Sequence, residues 1–374
     1  PNGKLDQARL PRPEQAVAAG PSHRINPPTT DDEKRLAAIW SQVLATPVDD
    51  IEADFFASGG HSVLAVKLLG AVEREFGVRL PLSELFSSPS IASLARRLAD
   101  GARQDAWQPV VALNREGSKT PLICFHPVGG NVLCYQSLAQ HLGPEQPLYM
   151  VQAPGLENGQ ILLPTVEEMV AFYLEAIRRA VPPGPLALAG WSFGGTLAFA
   201  AARRLQLAGD RVSAVMLFDS LAVSDPIRAL MRQDDADYLA DLFSELGIIT
   251  AQELRPLGPD ERLDLLVKRA RGTDLLPEGG DRETMRRLLA LFQNNALAAV
   301  RYRPQSIEGR MLLVRPRVAS RSAPSLPGDE YNGWRHLAKG GVILRWIDGT
   351  HGQMLLEPNI GQLARLVAEH LADA

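Results

Sequence analysis

Two architectures in series, a small all-α bundle and then a mainly parallel α/β domain, are predicted by three features of this 374-residue chain. Apolar residues between 30 and 100 recur at helical spacing, and no strand pattern interrupts them. Past the polar stretch "DGARQDAWQP", short β-rich runs alternate with helical ones, the grammar of a sheet with helices on both faces. From Asp225 to Tyr302 that alternation lapses into helices alone. A balance of 39 basic against 43 acidic side chains sets up no field for nucleic acid or anionic lipid. No apolar run is long enough to cross a membrane, and "PNGKLDQARLPRPEQ" lacks the apolar core of a signal peptide. A cytoplasmic protein without membrane or nucleic-acid partners is expected. Cys124 and Cys134 each sit inside an apolar stretch, which favours reduced core thiols over a disulfide.

Taken in order, Pro11, Pro13, Pro21, Pro27 and Pro28 mark residues 11–29 as a stiffened linker. Thr30 and Glu33 form a capping-box signature ahead of Leu36, Ile39, Trp40, Val43 and Leu44, which share a helical face. A second helix is predicted from Ser62 to Phe76, stopped by Gly77, and a third begins near Ser90 with Ile91, Leu94, Ala95 and Leu98 inward. The predicted strands are "PLICF", "LYMVQA", "LALAG", "AVMLF", "MLLVR" and "VILRWI". Helices such as "TVEEMVAFYLEAIRRA" and "TLAFAAARRLQLA" run between them, and "NIGQLARLVAEHLADA" closes the chain as an amphipathic helix.

Chemistry enters at "LALAGWSFGGTLAFA". Ser192 follows a strand, precedes a helix and has Gly190 and Gly194 two positions away on either side. This G-x-S-x-G turn is a nucleophile elbow, so the second domain is predicted to be an α/β-hydrolase with a helical insertion at 225–302. Chain order in that fold is serine, acid, histidine. Of the later histidines, His351 lies in a loop just beyond the last strand, His370 lies in the terminal helix and His336 in "GWRHLAKG". For the acid, Asp219 ends the strand "AVMLF". Asp225 is the next candidate, several residues into the loop, whereas Asp348 is too near His351 and "MLLVRPRVAS" ends its strand without a carboxylate. The catalytic set is therefore Ser192, Asp219 and His351, with the N–H groups of Val128, in "CFHPVGGN", and Phe193 as the oxyanion hole. His126 precedes the elbow and is expected to serve the structure of its loop. No metal is called for.

Ser62 has different surroundings: no strand leads into it, and it opens a helix. A helix N-terminus favours an anion, so a phosphodiester is well placed there, although an N-cap serine looks the same. The surrounding "DFFASGGHSVLAVKLL" resembles the attachment motif of peptidyl carrier proteins, and "LPLSELFSSPSIASLA" resembles the last two helices of their four-helix bundle. This resemblance implies 4′-phosphopantetheine carried on Ser62, with Asp54, Gly59, Gly60 and His61 shaping the loop. "FHPVGG", "GWSFGG", "LFDS" and "GTHGQML", in that order, resemble the type I thioesterase that closes a nonribosomal peptide synthetase, whose triad falls on Ser192, Asp219 and His351. "PNGKLD" resembles the tail of an adenylation domain, making Lys4 an expected remnant of it.

The resulting map is an adenylation remnant at 1–10, the linker at 11–29, a carrier domain at 30–101, a second linker at 102–118 and a thioesterase at 119–374 with a helical lid at 225–302. It implies upstream condensation and adenylation domains, a phosphopantetheinyl transferase and a peptidyl substrate as partners. The implied activity is release of a peptide from its phosphopantetheine thioester through an acyl-serine, by hydrolysis or macrocyclisation. An esterase fused to an unmodified bundle, and a carrier whose hydrolase-like domain only binds, are the rival readings.

Overall fold

In the computed structural model, residues 25–373 are described apart from 61, 79, 81–83, 86–88, 100–106, 116, 157–159, 223–248, 272–275, 277–280, 320–325 and 327. Lys4, most of the proline-rich linker, His61 and Asp225 lie outside the described residues. Helix α1 (Asp31–Leu44) starts on the predicted capping box: the Glu33 N–H donates to the Thr30 hydroxyl, and the Thr30 N–H donates to the Glu33 carboxylate. Helix α2 (Ser62–Phe76) stops where Gly77 takes φ +68°, and α3 (Ile91–Ala99) buries Ile91, Leu94 and Ala95. With Leu36, Leu68 and Leu85 they close around Trp40 and Phe55, whose rings meet edge-on at 5.3 Å. Most of residues 79–88, where a fourth helix is expected, lie outside the described residues.

The second domain carries a seven-stranded sheet in the order β1-β3-β2-β4-β5-β6-β7. Its strands are β1 (Val110–Asn114), β2 (Leu122–Phe125), β3 (Leu148–Val151), β4 (Leu186–Trp191), β5 (Val212–Phe218), β6 (Met311–Pro316) and β7 (Val342–Ile347). All pairings are parallel except that of β1 with β3. Strand β1 is not anticipated by the sequence reading, which leaves "VVALN" within a linker. It is a short edge strand with one partner, and its five residues carry no clear alternation.

Alternate residues of the central strands feed two separate cores. Ile123, Phe125, Leu188, Val215, Leu217 and Leu313 face helices α5 (Val166–Ala180) and α6 (Phe193–Leu207). Leu122, Cys124, Ala189, Met216, Phe218 and Val314 face α4 (Gln136–Leu142) and α10 (Ile360–Ala372). Cys124 and Cys134 are both free thiols, and burial pushes the Cys124 thiol well above its ordinary range. Between β5 and β6 the chain forms α7 (Ala251–Leu254), α8 (Pro259–Ala270) and α9 (Arg282–Arg301), which share a small core of Ile249, Leu263, Leu266 and Met285. Phe56, in the turn before α2, packs against the carrier core and also against the core on the α4/α10 side of the sheet. Among the described residues no helix is long and apolar enough to cross a membrane.

Strand register then assembles the site. Phe125 pairs with Gly190, Trp191 with Phe218, and Phe218 with Val314. The carboxyl ends of β2, β4, β5 and β6 are therefore level, and the residues that follow them emerge side by side along one edge.

Candidate active site

Strand β4 turns into α6 at Ser192, held at φ 58° and ψ −125° in a region that side chains rarely adopt. Its N–H donates to the Phe218 carbonyl at 2.9 Å, which pins the elbow to β5. The flanking glycines are steric requirements. A Cβ on Gly190 would lie 2.0 Å from the Gly194 backbone, and one on Gly194 would lie 2.2 Å from the Phe125 carbonyl. Hence the end of β2 runs directly across the start of α6, bringing the loop after β2 beside the elbow.

Asp219 leaves β5 at φ 42°, and its N–H donates to the Val314 carbonyl at 2.8 Å. Its carboxylate is buried, and His351 donates to it from Nδ1 at 2.8 Å. A carboxylate can only accept, so Nδ1 carries a proton, and in the neutral ring Nε2 is the nitrogen free to act as a base. The His351 ring stacks on Trp191, with centroids 4.7 Å apart and planes 30° apart. On the other side of Asp219, Arg315 brings Nε to 3.5 Å from Oδ1, while its Nη1 donates to the Asp329 and Glu330 carbonyls. The acid is thus gripped by an imidazole and a guanidinium from two further strand ends. No hydrogen bond joins Ser192 to His351 among the described residues; such contacts commonly tighten only when substrate is bound.

The other candidates have other partners. Asp348 is exposed and faces Gln362 and Arg317. His336 is exposed, and His370 is half-buried in α10, where burial lowers its pKa. His126 is fully buried and bonded to the Pro127 carbonyl and the Tyr173 hydroxyl, each at 2.7 Å. Its expected role in the structure of the loop fits these contacts.

The loop after β2 is closely held. Pro127 and Gly130 close a turn, and the Val128 carbonyl accepts from Asn295 of α9 at 2.9 Å. Neither the Val128 nor the Phe193 N–H donates to a protein acceptor among the described residues. Phe193 opens α6, so its N–H has no partner within the helix.

At the carrier end, Asp54 Oδ1 accepts from the Phe56 and Ala57 N–H groups, and the Ser58 hydroxyl donates to the Asp54 carbonyl. The turn then crosses so close to Phe55 that a Cβ on Gly60 would lie 2.4 Å from its ring. Helix α2 begins at Ser62 with no acidic residue in its first turn. A phosphodiester would there meet a positive helix end with no carboxylate in that turn to repel it, so the site fits the group. The signals missed at sequence level were Trp191, Arg315, Tyr173 and Asn295. Only Arg315 had an available cue, since it occupies the strand end at which no carboxylate was found.

Residues 120–371 match the model of the Thioesterase domain family, and residues 34–98 match that of the Phosphopantetheine attachment site. The chain belongs to the thioesterase family. A phosphopantetheine attachment domain precedes the thioesterase domain in the same chain. The chain is 31% identical over 376 residues to a dimodular nonribosomal peptide synthase of Bacillus subtilis, covering all of this chain and 15% of that one. A four-domain nonribosomal peptide synthetase solved with AMP and glycine matches 98% of this chain and 28% of its own at a TM-score of 0.65 and 29% identity. The thioesterase domain of NocB, solved as a covalent complex with a fluorophosphonate nocardicin G analogue, matches 70% of this chain and 99% of its own, with a TM-score of 0.53 and 25% identity. The chain therefore spans less than a third of the multidomain synthetases it resembles.

Proposed function

We propose that this carrier–thioesterase pair holds a peptide as a thioester on Ser62 and releases it through Ser192. The phosphopantetheine arm supplies a thioester on a flexible tether, which makes the encounter with Ser192 intramolecular. His351 Nε2 takes the Ser192 proton as Oγ attacks the thioester carbon; the C–S bond breaks and the leaving thiolate takes that proton back. Asp219 holds the ring and offsets the charge His351 gains, and the N–H groups of Val128 and Phe193 receive the oxyanion. In the second half His351 takes a proton from water, or from an amine or hydroxyl of the peptide, as that nucleophile attacks the ester carbon; the bond to Ser192 Oγ breaks and His351 returns the proton to that oxygen. Water yields a linear acid and an internal nucleophile yields a ring.

The observation that carries this reading is the buried 2.8 Å bond from His351 to Asp219 at the strand edge where Ser192 turns out of the sheet. The NocB thioesterase domain forms a covalent complex with a fluorophosphonate analogue, which supports the presence of an activated nucleophile in a domain similar to this one. The insertion at 225–302 is read as a lid, because α9 lies against the loop after β2 through Asn295. Upstream condensation and adenylation domains would deliver the peptide, and a transferase would modify Ser62.

The test is an intact-mass measurement after incubation with coenzyme A and a broad-specificity phosphopantetheinyl transferase, followed by a fluorophosphonate probe. The parent gains one phosphopantetheine and one phosphonyl group; Ser62→Ala gains only the second and Ser192→Ala only the first. A folded parent that gains neither contradicts the proposal.

A further inference from the structure

We propose that His126 and Tyr173 are positioning residues that set the direction of the oxyanion-hole N–H on Val128. The inference rests on Val128 being an oxyanion donor, and it concerns how that donor is aimed.

The Pro127 carbonyl and the Val128 N–H belong to one peptide plane, on which they point in opposite directions. Fixing the carbonyl therefore fixes the N–H. The His126 ring reaches that carbonyl through Nδ1 at 2.7 Å, and because a carbonyl oxygen only accepts, Nδ1 carries the proton. Nε2 is then bare and accepts the Tyr173 hydroxyl proton, also at 2.7 Å. Tyr173 holds the tautomer, the tautomer holds the carbonyl, and the carbonyl holds the N–H. His126 and Tyr173 are both 0% exposed, so water does not compete for either bond. The two rings meet edge-on, with centroids 5.5 Å apart, and His126 also lies 6.0 Å from the Phe193 ring, beside the second donor.

A clamp is needed here because the backbone beyond Val128 is permissive. Gly129 and Gly130 follow, and Gly130 takes φ +84°. Its N–H donates to the same Pro127 carbonyl at 2.9 Å, so that oxygen is held from two sides. Donation to the carbonyl also polarises the peptide and strengthens its N–H as a donor. Desolvation lowers the His126 pKa to about 4, so the ring stays neutral and keeps this tautomer through the neutral range.

Three variants of the full chain and one backbone change test this on a small acyl thioester. His126→Leu removes both hydrogen bonds, His126→Asn keeps an amide N–H near the place of Nδ1, and Tyr173→Phe removes only the hydroxyl. An oxyanion donor is worth about 10²- to 10³-fold in kcat. The expected result for His126→Leu is a loss of about 10²-fold in kcat with little change in KM. His126→Asn should recover most of that loss, and Tyr173→Phe should fall between. If His126→Asn is as slow as His126→Leu, ring packing and not the N–H is what matters, and the proposal fails. Should His126→Leu not fold, Tyr173→Phe decides alone, since it preserves the ring: a parental kcat overturns the proposal.

Replacing the Val128 amide by an ester, through its α-hydroxy analogue, removes that N–H directly. A large loss in the ester with none in the folded side-chain variants sinks the positioning claim alone. An ester as fast as the parent sinks the reading of Val128 as a donor, and the positioning claim with it.

Discussion

Trp191 stands between two glycine-governed positions and still carries the largest side chain in the elbow. Its ring lies 4.7 Å from His351, so the imidazolium that forms during acyl transfer has an aromatic face against it. Contacts of that kind contribute about 0.5–2 kcal/mol. Trp191→Leu is expected to lower kcat by about 2- to 30-fold, the kinetic equivalent of that range, with KM little changed. His126 makes a separate statement about pH. Its pKa is lowered from 6.5 to about 4 by burial, with the Pro127 bond opposing the shift. The unfolded chain therefore binds the extra proton first as pH falls. Stability should be full above pH 6.5, decline as pH drops toward 4 and change no further from this group below it. The sum is roughly 3 kcal/mol for so buried a ring. Thermal unfolding of the parent should show that slope, and His126→Asn should lack it.

Elements, more than single residues, decide what was legible in advance. The six strands with dense apolar runs were readable because both faces of the sheet are covered, and the ends of those runs marked where Ser192 and Asp219 had to emerge. Strand β1 escaped because an edge position asks little of five residues. His351 was found by chain order, but the grips around it were not. Asn295 meets the Val128 carbonyl across 167 residues of sequence, and no periodicity records a contact of that kind. That bond is also the tie between the helical insertion and the oxyanion loop. Asn295→Leu leaves the partly buried Val128 carbonyl without that donor, a loss of about 1 kcal/mol. Turnover is expected to fall about ten-fold or more, and limited proteolysis should show easier cleavage within 249–302. Parental values in both assays would remove α9 from the account.

Across the whole molecule, the serine that starts α2 and the elbow serine at the end of β4 are the two ends of the proposed transfer. The carrier turn is held by Asp54 and Gly60 and α2 starts without an acidic residue in its first turn, while the hydrolase edge collects Ser192, Asp219, His351 and Arg315 from separate strand ends. Phe56, six positions ahead of Ser62, touches the cores of both domains, so in the proposed transfer the turn ahead of the attachment serine already meets the domain that would receive its cargo. The most direct test is to load Ser62 with an acyl-phosphopantetheine and follow the intact mass of the full chain with time. The parent should lose its acyl group within minutes, whereas Ser192→Ala should keep it for hours, a difference of at least about 10²-fold, which lies inside the loss expected on removing the nucleophile. A parent that retains its acyl group, or a Ser192→Ala chain that releases it at the parental rate, would contradict the transfer between the two serines.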